Sequence, residues 1–93
     1  MTDSADMIEK ARITRKGGRL EEALLLLEHP LLKENATAAF LAGEIHYSLQ
    51  NWGDALNKFR RCLQIDPNLE AAQTYVDLIL NILGFFHTDQ FNP

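Results

Sequence analysis

Apolar residues recur at helical spacing along most of the chain. Ala38, Ala42, Ile45 and Leu49 form one series, and Trp52, Ala55-Leu56, Phe59 and Leu63 form the next. Each series gives its segment one face to bury. Between them, Gln50-Asn51-Trp52-Gly53 predicts a tight turn between two helices. Gly43 lies inside the first helix, where it costs about 1 kcal/mol relative to alanine. That cost is offset if another helix packs on the bare backbone, and Ala55 is the residue expected to approach it. Pro67 cannot continue the second helix but is suited to begin the next.

The stretch before this pair reads as a weaker copy of it. Asp3 or Ser4 can cap a helix running through Met7, Ala11 and Thr14 to about Lys16, ended by Gly17-Gly18. Leu20, Ala23-Leu24 and Leu27 begin a second helix, with Glu21 and Glu22 well placed in its first turn. Ala11 stands where Gly43 stands, Ala23 where Ala55 stands, and Leu27 where Phe59 stands. Pro30 truncates the second helix after Glu28, and Leu31 with Leu32 are expected to fold back as a plug. The third segment carries Ala71, Ala72, Tyr75, Val76, Ile79, Leu80 and Leu83, which predicts one long helix to Leu83 or Phe86.

The central stretch resembles a tetratricopeptide repeat, whose pattern W-x2-L-G-x2-Y, A-x3-F, P extends over about 34 residues. This chain has Ala39-x2-Ala42-Gly43-x2-His46, then Ala55-x3-Phe59, then Pro67. Gly43, Ala55, Phe59 and Pro67 match in type and spacing, and Cys62 fills a position the family gives to small residues. Ala39, Ala42 and His46 depart from the usual Trp, Leu and Tyr. The resemblance implies an all-α fold, a right-handed α-α superhelix of about five helices in antiparallel pairs. Residues 1–93 are then one domain: a degenerate repeat at 3–34, a repeat at 36–68, a capping helix at 69–86 and a tail at 87–93.

The last helix breaks the usual rule that a terminal cap has a polar outer face. Val76, Ile79, Leu83 and Phe86 fall on one side, and Tyr75, Leu78, Ile82 and Phe85 on the other. The polar stripe of Gln73, Asp77, Asn81 and Gly84 is thin. One side is expected to pack on Trp52, Phe59 and Leu63. The other needs a cover, supplied either by the tail laying Phe91 back on it or by a second copy in a two-fold dimer.

Composition narrows the function. A chain of 93 residues is expected to fold as one domain and to bury roughly 60–65% of its unfolded surface. The net charge of −4 gives no electrostatic case for nucleic acid. The single cysteine cannot form an intrachain disulfide, so a reducing, cytoplasmic setting is expected. MTDSADMIEK resembles neither a signal nor a transit peptide, and the apolar run Leu78–Phe86 is too short for a membrane span.

Catalytic and metal constellations do not emerge. His29, His46 and His87 fall in separate segments without paired ligands. Arg60 and Arg61 precede Cys62 in sequence, an arrangement able to lower its pKa, but its place in the repeat says small and buried. No enzyme activity and no cofactor are expected. The resemblance implies instead a protein-interaction module, an adaptor or scaffold whose first helices line a concave groove. Carried onto matching positions, that groove presents Ile8, Arg12, Arg15 and Lys16 from the first helix, Phe40, Glu44 and Tyr47 from the middle one, and Thr74, Leu78 and Asn81 from the last. Phe40 and Tyr47 would be aromatic anchors for a partner segment, and the basic cluster, with Arg19, would meet acidic groups. The lysine-asparagine carboxylate clamp of chaperone-binding members is not supported, since Ile8, Phe40, Glu44 and Thr74 stand among its positions. A self-associating module, paired through the last helix, is the alternative.

Overall fold

The computed structural model of the chain describes residues 3–84. It holds five α-helices: α1 (Ser4–Lys16), α2 (Leu20–Leu27), α3 (Ala36–Ser48), α4 (Trp52–Ile65) and α5 (Glu70–Ile82). A short 3-10 turn at Pro30–Leu32 separates α2 from α3, and no strand occurs among the described residues. α1 packs on α2, α3 on α4, and α4 on α5, while α3 also touches both helices of the first pair.

The helix starts follow local chemistry. Asp3 Oδ1 accepts the Asp6 amide at 2.9 Å, and Asn35 Oδ1 accepts the Ala38 amide at 2.9 Å. Each satisfies an amide that the helix cannot pair internally. The helix ends carry the repeat more openly. α1, α3 and α5 are each followed by a residue with left-handed backbone, Gly18 (φ 84°), Gln50 (φ 62°) and Gly84 (φ 82°). After α1 the Gly18 amide reaches the Arg15 carbonyl and the Arg19 amide that of Thr14. After α3 the Gln50 amide reaches Tyr47 and the Asn51 amide His46, in the same paired pattern. The three caps are alike, so α1, α3 and α5 end in the same way. The turn between α3 and α4 thus differs from the expected one. Trp52 and Gly53 already belong to α4, and Gln50 takes the left-handed position that a glycine would occupy more cheaply.

The core has two parts that share α3. One gathers Ile8, Ala11, Ala23, Leu27, Leu32, Ala38, Leu41, Ala42 and Ile45. The other gathers Ala55, Leu56, Phe59, Cys62, Ala72, Val76 and Ile79, with Phe40, Tyr47, Trp52 and Tyr75 packed against it. Ala11, Ala23, Ala55 and Phe59 are all fully buried, as the repeat register requires. Gly43 is buried too, and the atoms nearest to a side chain placed there belong to Phe59. A Cβ at Gly43 would lie 2.8 Å from carbons of the Phe59 ring.

Pro30 stops the first unit's second helix as expected, since α2 ends at Leu27. Only half of the expected plug forms: Leu32 is buried, while Leu31 stays exposed. Pro67 does not begin α5. It lies in a turn in which Asp66 Oδ1 accepts the Asn68 amide, and α5 starts at Glu70.

On α5, Ala72, Val76 and Ile79 face the core. Tyr75 also packs inward, contrary to its expected place beside Leu78 on the uncovered side. Leu78, Ile82 and Leu83 remain exposed, at 44%, 48% and 42%. Asp77, the residue of α5 in register with Gly43 of α3, is exposed and accepts a hydrogen bond from Gln73 at 3.0 Å. So α5 presents polar surface where α3 presents bare backbone. The expected continuation of the last helix to Phe86, and the expected fold-back of Phe91 in the tail, lie outside the described residues.

Candidate functional site

α1, α3 and α5 run side by side, and one residue ties them together. Glu44, near the middle of α3, accepts Arg15 Nη1 on Oε1 at 3.1 Å and the Tyr75 hydroxyl on Oε2 at 3.2 Å. Its carboxylate therefore bridges all three first helices, across 29 residues one way and 31 the other. Arg15 and Glu44 are half-buried, with side chains 33% and 25% exposed, so this pair is less screened than a surface ion pair. Lys58–Glu28 at 3.5 Å and Arg61–Glu34 at 2.9 Å are more exposed and contribute little.

Beside the bridge lies a cluster of rings centred on Tyr75. Phe59 stacks on Tyr75 with centroids 4.4 Å apart and planes 5° from parallel. Phe40 meets both of these rings edge-on, at 5.5 and 5.7 Å. Tyr47 meets Tyr75 at 5.1 Å and Trp52 at 5.2 Å, again edge-on. Such offset and edge-to-face pairs add about 0.5–1.5 kcal/mol each beyond area burial. Burial first, then the charge of Glu44 and the hydrogen bond to it, raise the pKa of the Tyr75 hydroxyl; Arg15 opposes them.

This arrangement sorts the residues predicted for the face. Ile8 is only 8% exposed and belongs to the core, because its position on α1 points between α2 and α3. Phe40 and Tyr47 are half-buried members of the ring cluster, which commits them to joining α3 to α4 and α5. Arg15 and Glu44 neutralise one another. Arg12, Lys16, Thr74, Leu78 and Asn81 stay exposed. They fall in two recesses on either side of the bridge. One, of about 510 Å³, is lined by Glu9, Arg12, Ile13, Arg15 and Lys16. The other, of about 420 Å³, is lined by Thr74, Asp77, Leu78 and Asn81. Sequence reasoning missed the central place of Tyr75, and it left out of the predicted face Ile82, which lies four residues beyond Leu78 on the same exposed side of α5.

Cys62 is fully buried, and its thiol donates to the Ala36 carbonyl at 3.4 Å. Burial, and secondarily the charge of Asp66, push its pKa up. The expected lowering by Arg60 and Arg61 does not occur, because neither guanidinium offsets the desolvation of the sulfur. No group of three metal-capable side chains converges among the described residues. No helix among them is long and apolar enough to cross a membrane.

Residues 36–69 match the family model of the tetratricopeptide repeat. The matched stretch is α3, α4 and the turn leading to α5, so this part of the all-helical chain is similar to a tetratricopeptide repeat. No curated protein and no solved structure matches it. Repeats of this family generally mediate contacts between proteins, which fits a face built from equivalent helices rather than a catalytic cleft.

Proposed function

We propose that the protein is an adaptor or scaffold that holds a segment of a partner protein against the face made by α1, α3 and α5. One observation carries this reading. Equivalent helices lie side by side, their inward residues are used in packing, and an outward row remains exposed along all three. Arg12 and Lys16 end that row on α1, and Thr74, Leu78 and Asn81 end it on α5. A buried lone Cys62 suits a cytoplasmic setting.

Thr74→Arg with Leu78→Arg places two bulky cations on exposed positions and should leave the fold intact. Proteins retained by the wild type should be lost from this variant. Equal retention by both would reject the face as the binding surface.

Pairing of two copies through α5 is a second reading, favoured by the exposed run Leu78, Ile82 and Leu83. Leu83 follows Ile79 by four residues and so falls on a different side of α5 from Leu78 and Ile82. Under this reading Leu83→Gln should weaken a dimer seen by sedimentation, and a wild type monomeric at every concentration would exclude it.

A further inference from the structure

The exposed row is not uniform in chemistry, and its grading follows the repeat register. The caps at Gly18, Gln50 and Gly84 fix which positions on the three first helices are equivalent. In that register Arg12, Glu44 and Leu78 form one line across the face, and Lys16, Ser48 and Ile82 form the next. Both lines begin with a cation on α1 and end with an exposed aliphatic residue on α5. The middle adds no free charge: Glu44 is held by Arg15 and Tyr75, and the Ser48 hydroxyl donates to the Glu44 carbonyl at 3.1 Å. Arg12 and Lys16 make no ion pair among the described residues. Arg12 and Lys16 share their recess with Glu9 and with Arg15, whose charge Glu44 already meets, so the two cations there outnumber the one remaining carboxylate.

We infer that the face accepts an extended protein segment with side-chain carboxylates over α1 and an aliphatic or aromatic residue over α5. This rests on the interaction reading above and adds the chemistry of the partner. Each pair, Arg12 with Lys16 and Leu78 with Ile82, is spaced i, i+4 and so presents neighbouring side chains. Helix axes pack about 8–10 Å apart, so the two ends are about 16–20 Å apart. A strand-like segment covers that distance in about five or six residues at 3.3–3.6 Å each. The carboxylates gain charge-assisted contacts with Arg12 and Lys16 and are steered by the local field, while the apolar residue covers Leu78 and Ile82.

The test is selection from a random twelve-residue displayed peptide library against the full chain, followed by titration of synthetic copies of the enriched peptides. Enriched peptides should carry Asp or Glu five or six residues from a large apolar residue. Replacing their acids by Asn and Gln, or using the Arg12→Glu/Lys16→Glu chain, should weaken binding about tenfold or more. The charge-reversed chain should regain binding when the peptide acids become lysines. Leu78→Gln/Ile82→Gln should weaken the same peptides by a similar factor without changing the helical content of the chain. Peptides that need both pairs of residues but show no acidic bias would overturn the inference and leave the face standing. Peptides indifferent to all four substitutions would overturn both. No enrichment, or a self-associated chain that Leu78→Gln/Ile82→Gln converts to monomer, would also overturn the inference.

Discussion

The ring of Phe59 lies directly on the backbone of Gly43. Any Cβ at that position would come within 2.8–2.9 Å of three ring carbons that have little room to move, since Phe59 is fully buried, stacked on Tyr75 and braced by Phe40. Gly43→Ala should therefore destabilise the fold although alanine favours helix. Overpacking costs about 1–3 kcal/mol, and the propensity gain of about 1 kcal/mol offsets part of it. Urea unfolding should show a net loss, and adding Phe59→Leu to Gly43→Ala should recover some of it.

Glu44 and Tyr75 make stability depend on alkaline pH. The folded chain holds the Tyr75 proton more tightly than the ordinary value of 10.0, through burial first and Glu44 second. This contribution is complete below that ordinary value and is lost as pH rises through the raised one. Thermal unfolding followed above pH 10 should fall more steeply for the wild type than for Tyr75→Phe. Glu44→Gln should reduce the dependence and, at neutral pH, cost about 1–3 kcal/mol because Arg15 loses its charged partner.

Gln50 is a side chain in a position suited to glycine. The two equivalent caps are Gly18 and Gly84, and Gln50 alone among the three bears a Cβ at positive φ. Gln50→Gly should stabilise the chain by roughly 0.5–1 kcal/mol, the gain from relieved left-handed strain exceeding the conformational entropy that glycine adds to the unfolded state. A rise in melting temperature checks this.

Cys62 should behave as a structural thiol. Its raised pKa and full burial keep the thiolate scarce in the folded state. Alkylation at neutral pH should proceed only as fast as the chain opens, and should accelerate with sub-denaturing urea. The same shift means that stability contributed by the protonated thiol declines as pH rises from the ordinary thiol value of 9.0 through the raised one.

The repeat was legible in the sequence because its signals are local. A small residue, a glycine or alanine twelve positions earlier, and a breaker after the second helix each act within a few turns. They located Ala11, Ala23, Ala55, Phe59 and the early stop at Pro30. Gly17-Gly18 announced the first cap for the same reason. Gln50 was missed because the nearby Gly53 carries a stronger turn signal although it lies in the first turn of α4. The face was harder to read. Periodicity says which side of a helix is apolar but not which neighbour it meets, so Tyr75 was grouped with Leu78 instead of Phe59. Ile8, Phe40 and Tyr47 were mapped by position in the repeat, and packing between units claimed them. Arg15 and Glu44 are far apart in sequence, and nothing local foretells that they cancel.

The chain of rings also makes the molecule self-reporting. Trp52 is the single tryptophan; it touches Tyr47, Tyr47 touches Tyr75, and Tyr75 hydrogen-bonds Glu44 at the middle of the face. Light absorbed by either tyrosine has a short route to one indole emitter. A ligand that draws Arg15 away from Glu44 would alter the Tyr75 end of that relay. Occupancy of the face then becomes readable as a change in intrinsic emission, with no label attached to the protein or to whatever it holds.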